Sequence, residues 1–435
     1  MDGKELYRYA KTKIPGGTQL LSKRPELYLP EQWPAYYRRA KGVEVETLDG
    51  RTYIDMCMMG VGACILGYAD EDVDEAVCRA IRQGVQCTLN VPEEVELAQV
   101  LCELHPWAGM VRYARSGGEA MALAVRIGRA KSGKDGIAFC GYHGWMDWYL
   151  AANLSSEDAL EDSLMPGLPP VGVPQGLQGS AWPFRYNCLE ELEAIVAAHG
   201  EKLGVIVMEP QRSSQPAPGF LEAVRRIADQ VGAVLIFDEI TTGFRMTCGG
   251  IHLLYDVTPD MAVFAKAMSN GYAMAAVIGT EPVMQAAQDS FISSTNWTER
   301  IGPAAALATI HKHQEQEVAA YIRRIGELVS QGWREAAQEA GLPLHVDGFD
   351  SLTHFGIDHP DELTLSTLFT QEMLERGYLA YPQFKPSLAH TQAHVEVYLQ
   401  EVRTVFGILA QAAERQGAAA RLKGPVARRG FYRLA

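Results

Sequence analysis

Short apolar runs alternate with longer amphipathic segments between residues 110 and 279 of the chain. Within the runs the apolar residues are largely continuous, which is typical of strands that are buried on both faces of a sheet. Helical segments such as EAMALAVRIGRAKSG separate several runs, so the pattern predicts an α/β fold with a largely parallel sheet. The predicted strands are MVRYA (110–114), GIAFC (136–140), GVIVM (204–208), AVLIF (233–237), MAVFA (261–265) and AMAAVIG (273–279).

The chain on either side of this region has a different pattern. Alternating residues around Asp49-Gly50 predict a β-hairpin, and the stretch before it is predicted to be irregular. Helices are predicted over 71–84 and 93–104, and one long helix follows Pro303 and runs to Gly341. The predicted domains are an N-terminal segment that joins the small domain (1–60), a large domain (61–310) and a small C-terminal domain (311–435).

The composition narrows the classes of function. A hydrophobic content of 47% with 21% charged residues is ordinary for a globular protein in water. The 39 basic and 53 acidic side chains give a formal charge of -14, which disfavours binding to nucleic acid or to an anionic membrane. The eight cysteines form no CxxC pair, and we expect neither a secretory leader nor a membrane span. These features predict a cytoplasmic protein that acts on small molecules.

The segment ARSGGEAMALAV (114–125) turns from a predicted strand through Ser116, Gly117 and Gly118 into a helix. Exposed backbone N–H groups at such a helix start, together with the helix dipole, form a phosphate site. The same residues also fit a plain strand-to-helix turn with a serine cap. A third interpretation is the nucleophile elbow of a serine α/β-hydrolase that uses Ser116, which would also require an acid and a histidine.

Other residues with chemical potential follow the predicted strands. Tyr142 and His143 come after GIAFC, Glu209 after GVIVM, Asp238 after AVLIF and Lys266 after MAVFA. Taken singly, Tyr142 also fits loop packing and Lys266 fits a paired structural lysine. Taken together at the carboxyl ends of parallel strands, where ligands bind, they suit one cofactor. A desolvated lysine, a carboxylate, an aromatic face and a phosphate cradle predict a pyridoxal phosphate site.

Histidines and one long loop carry weaker signals. The stretch HTQAH (390–394) has helical spacing, but Thr391 stands where a zinc-binding helix has glutamate, so no metal site is predicted. His311 and His313 lie on a polar stretch and are expected to face solvent. Residues 155–182 are rich in Gly, Pro and Ser and predict a long excursion over the surface or the mouth of the active site.

A series of short segments matches one known family in both order and spacing. The segments are AKGVEVETLDGRTYID, ILGYAD, RSGGEA, YHG, MEP, FDEITTGFR, FAKAMSNGY, the GP before AAALATI, and LAHT. With them the sequence resembles the class III (ω-type) aminotransferases of PLP fold type I, in particular the glutamate-1-semialdehyde 2,1-aminomutase branch. The resemblance implies a large domain with a mostly parallel sheet between helices, a smaller α+β domain, and pyridoxal 5'-phosphate as cofactor.

The resemblance also implies a role for each matching residue. Lys266 should hold the cofactor as a Schiff base, and Asp238 should partner the pyridinium nitrogen. Tyr142 should stack on one face of the ring, and Ile240 should pack against the other. Lys266 and Asp238 are therefore the expected catalytic residues.

The remaining matches concern the phosphate and the subunit interface. Residues Ser116, Gly117 and Gly118 should hold the phosphate, although the family more often has threonine where Gly118 stands. His143 and Glu209 lie in matching motifs and are assigned to the cofactor site. In this family a threonine from the neighbouring subunit reaches the phosphate, and Thr298 is the match, which implies a homodimer with shared active sites.

Two departures from the family pattern bear on the reaction. The aminomutase branch has a glutamate just before its AHT motif, whereas YPQFKPSLAHT has Pro382 or Gln383 at that place. Near PGG the branch has an arginine for the substrate carboxylate, which here could be Lys23 or Arg24. We therefore favour a ping-pong aminotransferase with a small-molecule amino donor and a keto or aldehyde acceptor. The aminomutase, with its 1,2 amino shift, is the alternative.

Overall fold

The computed structural model describes residues 2–156, 159–160, 167–414 and 417–431. The chain divides into two compact units. The large unit comprises residues 71–316, and the small unit comprises residues 1–70 and 317–435.

Strands occur in both units. In chain order they are β1 (Tyr37–Lys41), β2 (Glu44–Thr47), β3 (Thr52–Asp55), β4 (Met110–Ala114), β5 (Gly136–Cys140), β6 (Ala181–Pro183), β7 (Leu203–Met208), β8 (Val234–Asp238), β9 (Met261–Phe264), β10 (Ala275–Gly279), β11 (Leu344–Phe349), β12 (Leu352–Ile357), β13 (Tyr378–Leu379) and β14 (Gln383–Phe384).

Helices separate most of these strands. They are α1 (Gly3–Ala10), α2 (Met59–Gly62), α3 (Glu71–Gln83), α4 (Pro92–Leu104), α5 (Gly117–Ser132), α6 (Asp147–Leu150), α7 (Leu189–His199), α8 (Phe220–Val231), α9 (Glu281–Met284), α10 (Ile301–Glu315), α11 (Val318–Ala340), α12 (Glu362–Glu375), α13 (Gln392–Glu414) and α14 (Ala418–Arg421). None of the helices in the described ranges is both long and apolar enough to cross a membrane.

The large unit is built on a sheet with the strand order β4-β10-β9-β8-β7-β5-β6. The pairs from β6 to β9 are parallel, and β10 runs antiparallel to both β4 and β9. The predicted largely parallel sheet is thereby confirmed, and each strand predicted from an apolar run is present. Every residue of β5, β7 and β8 is buried, which explains why these strands read as continuous apolar sequence.

The predicted excursion over 155–182 is only partly described, because residues 157–158 and 161–166 lie outside the described residues. Its described part includes a short 3-10 turn at Gln175–Leu177. Ala181 and Trp182, at its end, belong to β6 and pair with β5. The apolar stretch at this end is too short to be distinguished from loop sequence by periodicity.

Helix α5 packs on the strands from β7 to β10. Gly128 permits this close approach, because a Cβ atom there would lie 3.0 Å from Val205 Cγ2. Helix α8 contacts β7 and β8 as well. The packed helices leave the carboxyl ends of the parallel strands as the place where this sheet can bind a ligand.

The small unit contains the sheets β1-β2-β3-β13 and β11-β12-β14. Strands β2 and β3 pair antiparallel, so the hairpin predicted around Asp49-Gly50 is confirmed. The core of the unit includes aromatic side chains, with Phe355 edge-on to both Trp333 and Phe369 at centroid distances of 4.9 and 5.1 Å. This α+β arrangement agrees with the small domain expected from the family resemblance.

Three local predictions are wrong. The long helix predicted after Pro303 is two helices, because Glu317 adopts a left-handed conformation (φ 47°) between α10 and α11. The stretch before the hairpin is not irregular throughout, since Asp2 and Glu5 form a capping box that starts α1. His313 does not face solvent; it is buried, and its Nε2 donates to the carbonyl oxygen of Phe244 at 2.8 Å.

Candidate active site

The carboxyl ends of β5, β7, β8 and β9 lie side by side at one edge of the large sheet. Four predicted site residues follow these strands: His143 after β5, Glu209 after β7, Asp238 at the end of β8 and Lys266 after β9. The edge is held by backbone hydrogen bonds, including one from the N–H of Glu209 to the carbonyl oxygen of Cys140 at 3.4 Å. The topology therefore brings together groups that are far apart in the sequence.

Lys266 is a partly buried amine held in a defined position. Its Nζ donates to Thr241 Oγ1 at 2.8 Å, and its own backbone is left-handed with φ 47°. Burial is the main cause that lowers its pKa from the ordinary 10.5 to about 8; the charge of Arg212 acts in the same direction, and the carboxylates of Asp238 and Glu209 oppose it. Near neutral pH about a tenth of this amine is therefore unprotonated and nucleophilic, far more than for an ordinary lysine.

Asp238 and His143 form a buried pair. His143 Nδ1 donates to Asp238 Oδ2 at 2.8 Å, and the N–H of Ile240 donates to Oδ1 at 3.0 Å. The second ring nitrogen, Nε2, lies 3.0 Å from the carbonyl oxygen of Cys140, which can only accept. With Asp238 ionised, both ring nitrogens must carry a hydrogen, so these partners assign His143 as an imidazolium.

The adjacent carboxylate, Glu239, has a different environment. Its Oε1 accepts from the backbone N–H of His252 at 3.0 Å and from Nδ1 at 2.7 Å, and its Oε2 accepts from the Thr242 hydroxyl. The other nitrogen of His252 accepts from the Trp107 indole N–H at 3.1 Å, so His252 is neutral. Burial alone would raise the pKa of Glu239, but the hydrogen bonds hold it below its ordinary value. Both oxygens of this carboxylate are therefore occupied by hydrogen bonds within the protein.

The amino terminus of α5 has the geometry of an anion site. Ser116 is its N-cap: its Oγ accepts from the N–H of Glu119, and the Glu119 carboxylate accepts from the N–H of Ser116. Gly117 and Gly118 are the first helical residues, whose N–H groups have no acceptor within the helix. A Cβ atom at Gly117 would lie 2.9 Å from Ile240 Cδ1, so a side chain here would require Ile240 to shift.

A cavity of about 650 Å³ opens at this edge of the sheet. Tyr142, Glu209 and Arg212 belong to its wall. Burial raises the pKa of Tyr142, and its ring meets Tyr149 edge-on at a centroid distance of 6.0 Å. Ile240 packs against Gly117 at the start of α5. Lys266, Asp238 and the start of α5 are not among the described residues of the cavity wall, so the cavity lies on the β5 and β7 side of this sheet edge. The sheet edge as a whole combines a nucleophilic amine, a carboxylate, an anion cradle and this cavity.

Comparison with known protein families identifies the family of this chain. The family model Aminotransferase class-III matches residues 29–406.

The chain belongs to the class-III aminotransferases.

Characterised relatives within this family have different activities. The chain is 31% identical over 423 residues to 3-aminobutyryl-CoA aminotransferase of Cloacimonas acidaminovorans, a match that covers 92% of this chain and 97% of that protein. It is 32% identical to glutamate-1-semialdehyde 2,1-aminomutase of Syntrophobacter fumaroxidans, covering 86% of this chain and 90% of the relative. Both transaminases and aminomutases are thus among its relatives.

Solved structures share the fold over nearly the whole chain. The ω-transaminase from Sphaerobacter thermophilus superposes with a TM-score of 0.82 at 25% identity, covering 94% of this chain and 98% of that one. The FumI protein of Sphingopyxis sp. MTA144, solved in its PLP internal aldimine form, superposes with a TM-score of 0.85 at 23% identity, covering 97% and 98%. The predicted fold type I architecture is confirmed.

Class-III aminotransferases use pyridoxal phosphate, and the described residues fit this cofactor. The N–H groups at the start of α5 suit a phosphate, because no helical acceptor satisfies them. Asp238 accepts only two hydrogen bonds within the described residues, so its carboxylate retains capacity for a cationic ring nitrogen. Lys266 supplies the amine that a Schiff base requires.

Ser116 does not have the surroundings of a hydrolase nucleophile. It adopts an ordinary extended N-cap conformation (φ -138°, ψ 156°) instead of a strained elbow. Among the described residues its hydroxyl hydrogen-bonds only with Glu119. With no histidine bonded to that hydroxyl, the geometry favours the cap and phosphate interpretation.

Thr298 lies exposed at the end of a short 3-10 turn. Its Oγ1 donates to the carbonyl oxygen of Thr295 at 3.0 Å and accepts from Gln86 Nε2 at 3.3 Å. Arg115, the residue before Ser116, anchors the same segment by donating to the Trp297 and Glu299 carbonyls at 2.9 Å. The hydrogen bonds of Thr298 involve none of the other predicted site residues.

Three residues of the site were not singled out from the sequence. Thr241 lies shortly after Asp238 in the FDEITTGFR segment. A hydroxyl so close to a strand end could have indicated a hydrogen bond to a site residue. Arg212 lies three residues after Glu209, where a cation beside a buried acid is also a local signal. His252 gives no such signal, because it reaches Glu239 only through the fold.

Proposed function

We propose that this chain catalyses transamination, moving an amino group from a small-molecule donor to a keto or aldehyde acceptor in a ping-pong sequence. The observation that carries the proposal is Lys266, a positioned amine with a pKa of about 8 at the same sheet edge as the Asp238–His143 pair. A hydrolytic function would leave both the lysine and the pair without a role.

Lys266 would hold the cofactor through Nζ, and its free amine would accept and return the proton that leaves the substrate carbon. Its hydrogen bond to Thr241 Oγ1, at 2.8 Å, keeps the free amine at the sheet edge. The lowered pKa means that the amine can accept a proton and give it back near neutral pH.

Asp238 would hold the pyridine nitrogen of the cofactor in its protonated form. The donors from His143 and Ile240 fix the orientation of the carboxylate, at 2.8 and 3.0 Å. Bound pyridoxal phosphate supplies an electron sink for the negative charge that forms on the substrate carbon. His143 acts here as a positioning residue because it reaches the cofactor only through Asp238.

Ser116, Gly117 and Gly118 receive the phosphate at the start of α5, where the helix dipole favours an anion. Tyr142 and Ile240 lie against the two faces of the ring. Support comes from Tyr142 in the cavity wall and from Ile240 against Gly117.

The active unit in this proposal is a homodimer in which Thr298 contributes to the phosphate site of the partner. Support comes from the exposure of Thr298 and from two exposed apolar side chains. Phe291, which precedes Thr298 in the same loop, is 89% exposed, and Leu89, which follows Gln86, is 76% exposed. Hydrogen bonds from Gln86 join these two loops. The eight free cysteines support a reducing, cytoplasmic location.

The experiment that tests the proposal measures each half-reaction separately. Purified protein loaded with pyridoxal phosphate is mixed with single amino donors, and the cofactor absorbance is followed; an acceptor is then added and recovery is measured. Borohydride reduction followed by peptide mass spectrometry should place the cofactor on Lys266, and Lys266→Ala should lose both the adduct and turnover. A protein that binds the cofactor elsewhere, or reacts with no donor, contradicts the proposal.

The same experiment separates the aminomutase. Relatives named as aminomutases favour testing it, although YPQFKPSLAHT lacks the acid expected in that branch. Isomerisation of glutamate 1-semialdehyde without any external acceptor would identify a mutase. A requirement for a separate acceptor would identify a transaminase.

A further inference from the structure

A second cation lies beside the lysine. Arg212 follows β7 and lines the cavity together with Tyr142, Ser213 and Ser214. Its Nη1 donates to both carboxylate oxygens of Glu209 at 2.9 Å. The side chain of Arg212 is 25% exposed, whereas that of Glu209 is 6% exposed. The acid is thus buried beneath a guanidinium that reaches the cavity.

The ion pair leaves one edge of the guanidinium open. Within the part of the chain that the structure describes, Glu209 contacts Nη1, and neither Nε nor Nη2 of Arg212 has a hydrogen-bond partner. Neither nitrogen is among the polar atoms that are both fully buried and without a partner, so each keeps some exposure to the cavity or solvent. The Nε–Nη2 edge presents parallel N–H donors, which is the geometry that binds a carboxylate through two hydrogen bonds.

The rest of the cavity wall favours an anion. The acids among the described wall residues are Glu209 and Glu191, and each is paired with an arginine, Glu191 with Arg185 at 2.7 Å. The side chains of Ser213 and Ser214 are exposed and add hydroxyl donors next to Arg212. Among the described residues of the wall, no unpaired acid therefore repels a bound carboxylate.

Arg212 is also close enough to the site to affect its chemistry. After burial, its positive charge is the next cause that lowers the pKa of Lys266, and it opposes the effect of burial on Tyr142. A negative group bound to Arg212 would therefore lie within electrostatic reach of the reacting amine.

We propose that Arg212 recognises the carboxylate of the amino donor, and that Glu209 holds the guanidinium in place for it. The proposal rests on the transaminase function and deepens it by naming the substrate class: amino acids and their keto acids, over amines and aldehydes that lack the acid group. It assigns this specificity to a residue of the large unit, independently of Lys23 or Arg24.

The test compares two donors that differ only in the acid group. L-alanine and isopropylamine are identical except that a methyl group replaces the carboxylate. Arg212→Lys keeps a charge beside Glu209 but loses the planar second edge, and Arg212→Gln removes the charge. In both variants we expect the half-saturating L-alanine concentration to rise by about tenfold or more, and that of isopropylamine to change by less than about twofold. Arg226→Gln, on the exposed face of α8, is the matched control and should change neither value.

A binding measurement reports on the same contact without turnover. Propanoate and propanamide are titrated into the cofactor-loaded wild type by calorimetry, and we expect only propanoate to bind, with Arg212→Lys weakening it by about tenfold. Equal losses for L-alanine and isopropylamine, or no loss for either, would overturn the proposal. Propanoate binding that depends on Arg212, in a protein that aminates nothing, would keep the carboxylate site and refute the transaminase function instead.

Discussion

Asp238 and Glu239 are neighbours in the chain, yet the fold gives their carboxylates different surroundings. Both are buried, with exposed fractions of 3% and 0%. Each accepts a hydrogen bond from a histidine Nδ1, His143 for Asp238 and His252 for Glu239. The difference lies on the far side of each imidazole, where His143 meets a carbonyl oxygen and His252 meets the N–H of Trp107.

The group that bonds the second ring nitrogen determines how many protons each histidine holds. A carbonyl oxygen can only accept a hydrogen bond, and an indole N–H can only donate one. The Asp238–His143 pair carries no net charge, and its carboxylate accepts two hydrogen bonds from the residues that the structure describes. Glu239 keeps its charge beside a neutral histidine and accepts three. A carboxylate with unused acceptor capacity can bind a cofactor cation, whereas one that the protein has satisfied stabilises the fold.

The largest effect is expected at Asp238. Asp238→Asn removes the charge that keeps the pyridine nitrogen protonated, and we expect the rate of the L-alanine half-reaction to fall by about 10³-fold. The free energy of unfolding should fall by less than this loss of rate represents, because the amide oxygen can still accept from His143, although the buried imidazolium loses its counter-charge. Stopped-flow absorbance and urea unfolding measure the two quantities. A variant that retains full activity would remove Asp238 from the catalytic residues.

Glu239 should respond in the opposite way. Glu239→Gln replaces a charged acceptor of three hydrogen bonds, so we expect the free energy of unfolding to fall by about 2 kcal/mol. The folded fraction should react with L-alanine within about threefold of wild type, which serves as the matched control for Asp238→Asn. Loss of activity at unchanged stability would make Glu239 a functional acid and end the contrast between the two carboxylates.

His143 should show a smaller, catalytic effect. In His143→Asn the amide can still donate to Asp238 but no longer spans to the Cys140 carbonyl, and we expect kcat to fall by about tenfold with KM nearly unchanged. The matched variant His252→Asn should lower stability and leave kcat of the folded enzyme near wild type. A rise in KM alone for His143→Asn would indicate a substrate contact and not a positioning role.

The smallest effect concerns pH and arises from Lys266. Because a lysine is uncharged above its pKa, covalent loading of cofactor-free protein with pyridoxal phosphate should accelerate as pH rises, with a midpoint near 8. The unfolded chain, with its lysine pKa of 10.5, binds more protons between pH 8 and 10.5, so this group should make stability rise with pH across that window. Lys266→Ala supplies the control for both measurements. A midpoint near 10.5 would contradict the lowered pKa.

The sequence was sufficient to predict the strands of the large sheet and the residues that lie at their carboxyl ends. Continuous apolar runs predicted the strands, and the residues that follow them, Asp238 and Lys266 among others, are brought together because parallel strands end on one side. Each of these residues could be found because it stands in a short motif directly after a predicted strand. The roles assigned to these residues and the contribution of Thr298 from a partner subunit stay predictions.

Contacts made across the fold could not be read from the sequence. The different surroundings of Asp238 and Glu239 depend on the hydrogen bond from Trp107 to His252, and no sequence spacing links these two residues. His313 was placed in solvent because its neighbours are polar, although it continues the buried face of α10 three residues after Ile310. The break at Glu317 has no Gly or Pro signal, and it falls where the large unit ends.

The most direct test of the contrast is the protonation of the two histidines. Cofactor-free protein labelled with ¹⁵N at histidine is measured by NMR near neutral pH, with His143→Asn and His252→Asn assigning the signals. Both ring nitrogens of His143 should carry a hydrogen, while Nε2 of His252 should carry none. A His143 with one unprotonated nitrogen, or a doubly protonated His252, would contradict the assignment.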